Sequence, residues 1–299
     1  MTRPLAPPAS GTRALLALVT GAIAIAFAPI LVRVAETGPV ATAFWRMSLA
    51  LVPLWLLRAR VSRNGAPPAA GLRWLLIAAG LFFAGDLGIW HISIKLTSVA
   101  NSTFLVNMAP LFVTLGGWLL FRERVTPLFM AGMTTALAGA WLLSRGHFSP
   151  SAATAAGDVL ALLAAVSYAG YLLVIKRLRT RGGDTATIMA WSSTVTAAAL
   201  LPAMLLSGEQ LLPHSATGWL TLLALAAVPH VAGQSLIAWA MAHLPASFSA
   251  VALLVQPVAA SLLAWALLAE PMALLQAAGG AAVLAGVALA RRGSRDGAQ

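Results

Sequence analysis

The chain has 299 residues, of which 60% are hydrophobic and 9% are charged, and its mean hydropathy is +0.87. This composition leaves too little polar surface for a water-soluble domain of that length, and it indicates a protein that crosses a membrane several times. The net charge of +11 does not indicate nucleic-acid binding, because no soluble basic domain is present, and the lack of cysteine excludes disulfides and thiolate metal sites.

The apolar residues form long continuous runs rich in Ala, Leu and Gly. A helix needs about 20 such residues to cross the hydrocarbon layer, whereas barrel strands are short and alternate apolar with polar residues. The sequence therefore predicts an all-α membrane protein with ten transmembrane helices, at residues 14–35, 39–57, 72–94, 98–121, 127–144, 157–177, 185–207, 217–241, 246–268 and 271–290.

An internal repeat divides the chain into two halves. Residues Ala100–Ser144 match Ser247–Arg291 at a constant offset of 147 residues, and the matched pairs include Pro110 with Pro257, Trp118 with Trp265, Glu123 with Glu270, Gly132 with Gly279 and Gly139 with Gly286. Five predicted spans separate the two copies, and because five is odd the copies cross the membrane in opposite directions. Such an inverted repeat is typical of secondary transporters.

The domain boundaries follow from this repeat and from the composition of the loops. We expect one integral membrane domain made of two five-helix repeats. Its parts are a disordered cytoplasmic tail at 1–13, a first repeat at 14–144, a linker at 145–156, a second repeat at 157–291 and a cytoplasmic tail at 292–299.

The basic residues define an orientation. If both termini are cytoplasmic, all but four of the 19 Lys and Arg residues lie on the cytoplasmic side or in the tails, the exceptions being Arg33, Arg46, Lys95 and Arg145. Basic residues collect in cytoplasmic loops. We therefore expect a multi-pass protein of the inner (plasma) membrane, a monomer in the lipid bilayer, with a small-molecule substrate and no nucleic acid as partner.

Two ionisable residues are predicted at membrane depth. Arg46 lies about seven residues from the outer end of its span and Asp86 about eight, which at 1.5 Å per residue places both roughly 10–12 Å deep. Charged groups inside a membrane are functional candidates unless a partner satisfies them. One interpretation is a buried ion pair that locks two helices; the other makes one of the two a substrate anchor or a proton acceptor.

Four prolines lie well inside predicted spans, where proline removes a backbone hydrogen bond and kinks the helix. They are Pro29, Pro110, Pro229 and Pro257. Polar side chains lie beside these kinks, and we predict that they line one substrate-binding cavity. They are Asn107, His230, Gln234 and Gln256. The alternative for each is a hydrogen bond that holds neighbouring helices together.

The only two tyrosines, Tyr168 and Tyr171, are three residues apart in the middle of a predicted span, away from the interfacial belt. They either form a cavity wall or donate interhelical hydrogen bonds. Most tryptophans lie near span ends and suit the belt, but Trp90 is one turn from Asp86 and is a further candidate for substrate binding.

The remaining acids and the known catalytic motifs suggest no enzyme. Glu123, Glu270 and Asp158 each precede or begin a span, where a carboxylate is stabilised by the helix dipole. No Gly-x-Ser-x-Gly, paired-histidine helix or phosphate-binding Gly-Lys-Ser/Thr loop occurs. His91 and His230 lie on different spans without a second ligand. We expect no catalytic residue, no cofactor and no metal.

The repeated motif, together with Phe44-Trp45-Arg46 at the start of the second span, resembles the EamA-type drug/metabolite transporter superfamily over nearly the whole chain. The resemblance implies ten helices in two inverted five-helix repeats. It also implies a central cavity lined by spans 1, 3, 4, 6, 8 and 9, and export by alternating access. Within that superfamily the chain resembles bacterial amino-acid exporters, including the aromatic amino-acid exporter subgroup.

The predicted cavity offers neutral hydrogen-bonding groups and aromatic surface, and strongly anionic cargo would require more Arg or Lys. The sequence therefore predicts a secondary transporter that exports small metabolites across the inner membrane, first of all neutral or aromatic amino acids. Lipophilic drugs or other metabolites are the alternative substrates. A membrane-embedded enzyme or receptor is a further alternative that the inverted repeat disfavours.

Overall fold

The computed structural model describes residues 8–61, 70–97, 99–144, 155–268 and 272–296. Within these residues ten helical spans are long and apolar enough to cross a membrane, which confirms the predicted all-α fold. We number them 1 to 10: Gly11–Arg33, Pro39–Val61, Gly71–Ser93, Ser102–Phe121, Pro127–Ser144, Ala155–Thr180, Thr185–Leu206, Ala216–Ala240, Ala246–Leu267 and Leu274–Ser294.

The helical ends differ from the prediction mainly at the two tails. The first helix begins at Pro8, inside the predicted disordered tail, because proline is tolerated in the first turn of a helix. The last helix continues to Asp296, beyond the predicted end of that span at residue 290. Residues 1–7, 297–299 and most of the predicted linker, 145–154, lie outside the described residues.

An even number of spans returns the chain to the membrane face from which it started. Both ends of the helical bundle therefore lie on one face, here called the terminal face, and the opposite one is the distal face. The outer surface of the bundle is apolar: Val52, Leu115 and Leu220 are each more than half exposed. Such a surface is compatible with apolar lipid tails, whereas its exposure to water would be unfavourable.

The packing of the spans follows the internal repeat. Span 2 packs on span 7, span 4 on span 9 and span 5 on span 10, and each of these pairs joins equivalent spans of the two repeats. Other large contacts occur in pairs that the repeat relates. Span 1 packs on span 8 as span 6 packs on span 3, span 1 packs on span 9 as span 6 packs on span 4, and span 2 packs on span 8 as span 7 packs on span 3. Exchanging the two repeats therefore reproduces the same main pairs of neighbouring spans.

Spans 5 and 10 approach most closely at glycines that the repeat shares. A side chain at Gly139 would lie 2.6 Å from the carbonyl oxygen of Gly279, and one at Gly279 would lie 2.8 Å from that of Gly139. Gly132 and Gly286 face each other in the same way. Small residues allow helix backbones to approach closely inside a membrane, and here each repeat contributes two glycines to a common seam.

Four spans are interrupted next to the prolines singled out above. Span 1 is built from Pro8–Ala26 and Ala28–Arg33, span 4 from Val99–Val106 and Ala109–Phe121, and span 9 from Ala246–Ala252 and Val255–Leu268. Span 8 widens into a π-helix, Ala226–Gln234, that contains Pro229. The interruptions of spans 4 and 9 are equivalent under the repeat, and they set the angle between the two halves of each span.

Candidate functional site

A cavity of about 210 Å³ lies between the two repeats. Its wall is formed by spans 1, 2, 3, 4, 6, 8 and 9, so span 2 adds to the six spans that the resemblance implied. Among the described residues, spans 5, 7 and 10 contribute none of the lining. The glycine seam between spans 5 and 10 is thus part of the frame around the cavity and lies apart from its wall.

The cavity occupies the distal half of the bundle. Span 1 lines it through residues between 25 and 32, next to its distal end, and span 2 through Thr42, Ala43 and Arg46, next to its distal beginning. The distal halves of spans 4 and 9 form facing walls, through Thr103 and Gln256 among others. The terminal halves of the same two spans pack directly on each other. The structure therefore has a cavity directed toward the distal face.

The terminal side is held together by Glu123 and Lys176. The Glu123 carboxylate accepts hydrogen bonds from the backbone amides of Ala246 (2.6 Å) and Ser247 (3.0 Å) and from the Ser247 hydroxyl (2.5 Å), at the start of span 9. The Lys176 ammonium donates to the carbonyl oxygens of Met241 (3.0 Å) and Leu244 (2.7 Å). An acid at a helix beginning and a base at a helix end both complement the helix dipole.

Glu123 was expected at the beginning of its own following helix, span 5, and that expectation was wrong. Arg122 adopts a left-handed backbone conformation with φ of 55°. The turn directs the next residue, Glu123, away from span 5 and toward span 9. Glu270 lies outside the described residues, and Asp158 accepts a hydrogen bond of 2.7 Å from the hydroxyl of Thr97, which follows the helix of span 3.

Arg46 and Asp86 both line the cavity, and each is only 8% exposed. The two side chains attract each other electrostatically, and among the described residues no hydrogen bond joins them. The Nε atom of Arg46 is buried and has no hydrogen-bond partner within the described part of the chain. The two charges therefore share the cavity, while the hydrogen-bonding capacity of the guanidinium is incompletely used.

Other buried polar atoms of the wall also lack a hydrogen-bond partner among the described residues, and they include the Nε1 atom of Trp90 and the Oε1 atom of Gln234. Leaving a buried donor or acceptor unsatisfied costs about 1–3 kcal/mol. The Nε atom of Arg46 and the Nε1 atom of Trp90 are donors, and the Oε1 atom of Gln234 is an acceptor. All three are available to a solute bound in the cavity. Asn107 lines the same wall and is half-buried.

The two tyrosines have different positions. Tyr168 lies in the cavity wall, where the side chains of Gln234 and Gln256 face its hydroxyl. Tyr171 is 1% exposed and lies behind the wall, and its ring stacks on Phe83 with the centroids 4.6 Å apart. Of the two tyrosines, the geometry therefore leaves Tyr168 to contact an occupant.

His230 also lies behind the wall. Its ring stacks on the ring of Phe83, with the centroids 5.7 Å apart, and its Nε2 atom is 2.8 Å from the Ser193 hydroxyl. Sequence patterning could not separate the wall from the layer behind it, because both lie at the same depth on faces of polar character. Tyr171 and His230 therefore lie outside the lining of this cavity, and their contact with substrate stays a prediction.

Of the four prolines, Pro29, Pro110 and Pro257 line the cavity, whereas Pro229 is buried in the π-helix of span 8. Much of the remaining wall is apolar, and hydropathy alone could not distinguish these residues from the core. They include Phe83, Leu87, Leu172, Leu225, Leu253 and Leu254. In the described residues no cluster of three His, Asp or Glu side chains could hold a metal ion.

The chain resembles known membrane proteins in sequence and in fold. The sequence model of the EamA-like transporter family matches residues 12–145 and 155–292. Two proteins of Archaeoglobus fulgidus, both named uncharacterized transporter, are 26% identical over 200 residues and 29% identical over 206. The matches cover 67% of this chain and 70% and 68% of those proteins. A crystal structure at 21% identity superposes with a TM-score of 0.78, covering 95% of this chain and 99% of that chain.

Proposed function

This chain belongs to the EamA-like transporter family, and on that premise we propose that it exports small metabolites by alternating access, with neutral or aromatic amino acids as the first substrate class. One observation carries the proposal. A cavity enclosed by both repeats lies at membrane depth, is directed toward the distal face and is sealed by direct packing on the terminal face. Such a cavity can hold a solute during transfer between two opposite openings.

The character of the wall supports the substrate class. Amide, hydroxyl and indole groups alternate with aromatic and aliphatic surface, and the one Arg of the wall is balanced by the one Asp. A phosphorylated or otherwise strongly anionic cargo would require several basic groups. The cavity volume of about 210 Å³ is below the ~300–1,000 Å³ of pockets that hold drug-sized ligands, so a small metabolite fits better than a large lipophilic drug.

The matched contacts of the two repeats support the mechanism. If the first repeat adopted the arrangement of the second and the second that of the first, the packed halves of spans 4 and 9 would separate and their distal halves would meet. The cavity would then be directed toward the terminal face, with the same residues around the solute. The contact between spans 5 and 10 joins equivalent spans and is kept in such an exchange.

The direction of transport depends on the orientation of the chain. The terminal face carries most of the basic residues, among them Arg58, Arg60, Arg177 and Arg181, as cytoplasmic faces do. We propose that both termini are cytoplasmic and that the protein is a monomer of the inner membrane. The distal-facing cavity then releases solute outside the cytoplasm.

Counterflow in proteoliposomes tests this function. Purified protein is reconstituted, the vesicles are preloaded with single unlabelled amino acids, and uptake of one labelled amino acid is followed with and without a pH gradient. We expect acceleration by neutral and aromatic preloads. If folded protein exchanges no amino acid, the same assay with lipophilic cations and other metabolites tests the alternative substrates. Absence of any exchange would count against a transporter and favour the alternative of a membrane-embedded enzyme or receptor.

A further inference from the structure

We infer that Arg46 and Asp86 form a recognition site for a zwitterion, in which the guanidinium binds the α-carboxylate and the carboxylate binds the α-ammonium of one amino acid. This inference rests on the proposed function and deepens it. It assigns the two charged side chains a role in selecting the substrate, in place of a lock between helices. It also assigns the orientation of the amino acid within the cavity.

The first step of the argument concerns the unused capacity of the two charges. A buried charge is expensive unless it is both paired and hydrogen-bonded. Arg46 and Asp86 are each 8% exposed, attract each other without a hydrogen bond, and leave the Nε atom of Arg46 without a partner. A pure lock would use its donors on its own acceptor. An inserted zwitterion satisfies both groups, since it brings one negative and one positive group at once.

The second step concerns the placement of the pair. Arg46 is seven residues from the distal beginning of span 2, and Asp86 is seven residues from the distal end of span 3, so each lies about 10 Å along its span. The two charges therefore approach the cavity from different helices at a similar depth. Trp90, one turn nearer the distal end than Asp86, adds an unused donor for the carboxylate.

The third step concerns the rest of the wall. The amino acid's side chain has to point away from the charged pair, and the apolar part of the wall is available for it. Tyr168 lines the same cavity as Arg46 and Asp86, so the charged site and the aromatic wall share one enclosed space. The unused acceptor of Gln234 lies beside Tyr168 and suits a side chain that carries a polar hydrogen.

The inference predicts that both charges of the ligand are required. The probes are two matched sets: L-phenylalanine, phenethylamine and 3-phenylpropionate, and L-leucine, 3-methylbutylamine and 4-methylpentanoate. In each set the second compound lacks the carboxylate and the third lacks the ammonium. Binding to purified protein is measured by ligand-induced thermal stabilisation. We expect at least one of the two amino acids to bind at least tenfold more tightly than both compounds that lack one charge.

Two substitutions then assign each charge to its partner. In Arg46→Gln the preference for the amino acid over the amine should disappear, because the group that binds the carboxylate is gone. In Asp86→Asn the preference over the carboxylate compound should disappear. The matched controls lie outside the cavity: Arg60→Gln on the same span, and Asp184→Asn, an N-cap of span 7 that asparagine can also form. Both controls should keep the preferences of the unaltered protein.

A lock between helices would give a different pattern. It would weaken all three compounds of a set equally in Arg46→Gln and Asp86→Asn, and that result would overturn the inference. Equal binding of the three compounds by the unaltered protein would overturn it too, and this comparison needs no variant to fold. If amino acids exchange in counterflow but bind no more tightly than the compounds that lack one charge, the zwitterion site is refuted and the proposed transport is left intact. Binding of neither amino acid would count against both.

Discussion

Replacing Glu123 with Ala should shift the protein away from the distal-facing conformation. The carboxylate belongs to the loop after span 4, and it accepts three hydrogen bonds from Ala246 and Ser247 at the beginning of span 9. These contacts exist only while the terminal halves of spans 4 and 9 are together. Their loss therefore destabilises the conformation described here and leaves the opposite conformation almost unaffected.

The size of the shift follows from the contacts. Removing a side-chain acceptor from a helix N-terminus costs about 0.5–2 kcal/mol, and hydrogen bonds to a charged group are at the upper end of the range for single bonds. A difference of about 1–2 kcal/mol changes an equilibrium ratio by a factor of roughly 5–30. We expect the ratio of distal-facing to terminal-facing protein to fall by that factor in Glu123→Ala.

The assay uses the fact that the chain has no cysteine. Thr103→Cys in the distal half of span 4 and Ala260→Cys in the distal half of span 9 lie on opposite walls of the cavity, and spin labels at both report the distance between these halves by pulsed electron paramagnetic resonance. In the Glu123→Ala background a population with a shorter distance should appear or grow.

A matched control is available at the distal face. The Glu209 carboxylate accepts hydrogen bonds from the backbone amides of Val40 (2.8 Å) and Ala41 (3.3 Å) at the beginning of span 2. Spans 2 and 7 pack on each other along their length, so Glu209→Ala removes a similar contact without joining or separating spans 4 and 9. An unchanged distance distribution in Glu123→Ala, from folded protein, would refute the role of Glu123 as a conformational clasp.

Three further outcomes can be measured separately. Gly139→Ala should lower the thermal unfolding midpoint by a few degrees, since overpacking costs about 1–3 kcal/mol and exceeds the ~1 kcal/mol that alanine gains over glycine in a helix. The control Gly71→Ala meets nothing within 4 Å and should not lower the midpoint, so equal effects of the two would refute the close seam. Asn107→Ala should reduce counterflow several-fold with unchanged expression, and full activity would remove Asn107 from the site. Glu36 is held by hydrogen bonds from Ser215 and the His214 amide, which lower its pKa below the usual 4.5; its stabilisation is therefore present above pH 4.5 and lost as the pH falls through the lowered pKa. Glu36→Gln should be less stable than the unaltered protein at pH 7, and the difference should shrink as the pH falls below 4.5 and through the lowered pKa; a difference that did not depend on pH would contradict this account.

The sequence predicted the architecture because the determinants are local. Each span is a run of apolar residues of sufficient length, and the repeat fixes the relation of the halves, so ten helices and their inversion need no tertiary information. The interruptions of spans 1, 4 and 9 also follow from single residues, Pro29, Pro110 and Pro257, since proline removes a hydrogen bond wherever the helix packs.

The candidate site was less predictable because it depends on which helix face points inward. Tyr168 and Tyr171 are three residues apart, yet one lies in the wall and the other is stacked on Phe83 behind it. Membrane helices are apolar on every side, so their hydropathy does not mark the inward face as it does in soluble proteins. Glu123 was assigned to the wrong helix because a left-handed turn at Arg122 carries no strong sequence signal in a non-glycine residue.

The glycine seam between spans 5 and 10 has a consequence for how the protein can be assembled. Because the seam holds backbone against backbone at two reciprocal positions, the two repeats are joined by a non-covalent interface that does not depend on the peptide connection between them. A gene cut between the codons for residues 144 and 155 would encode two five-helix fragments. Each fragment carries one side of the seam, so co-expressed fragments can associate through it in the bilayer and reconstitute the intact fold.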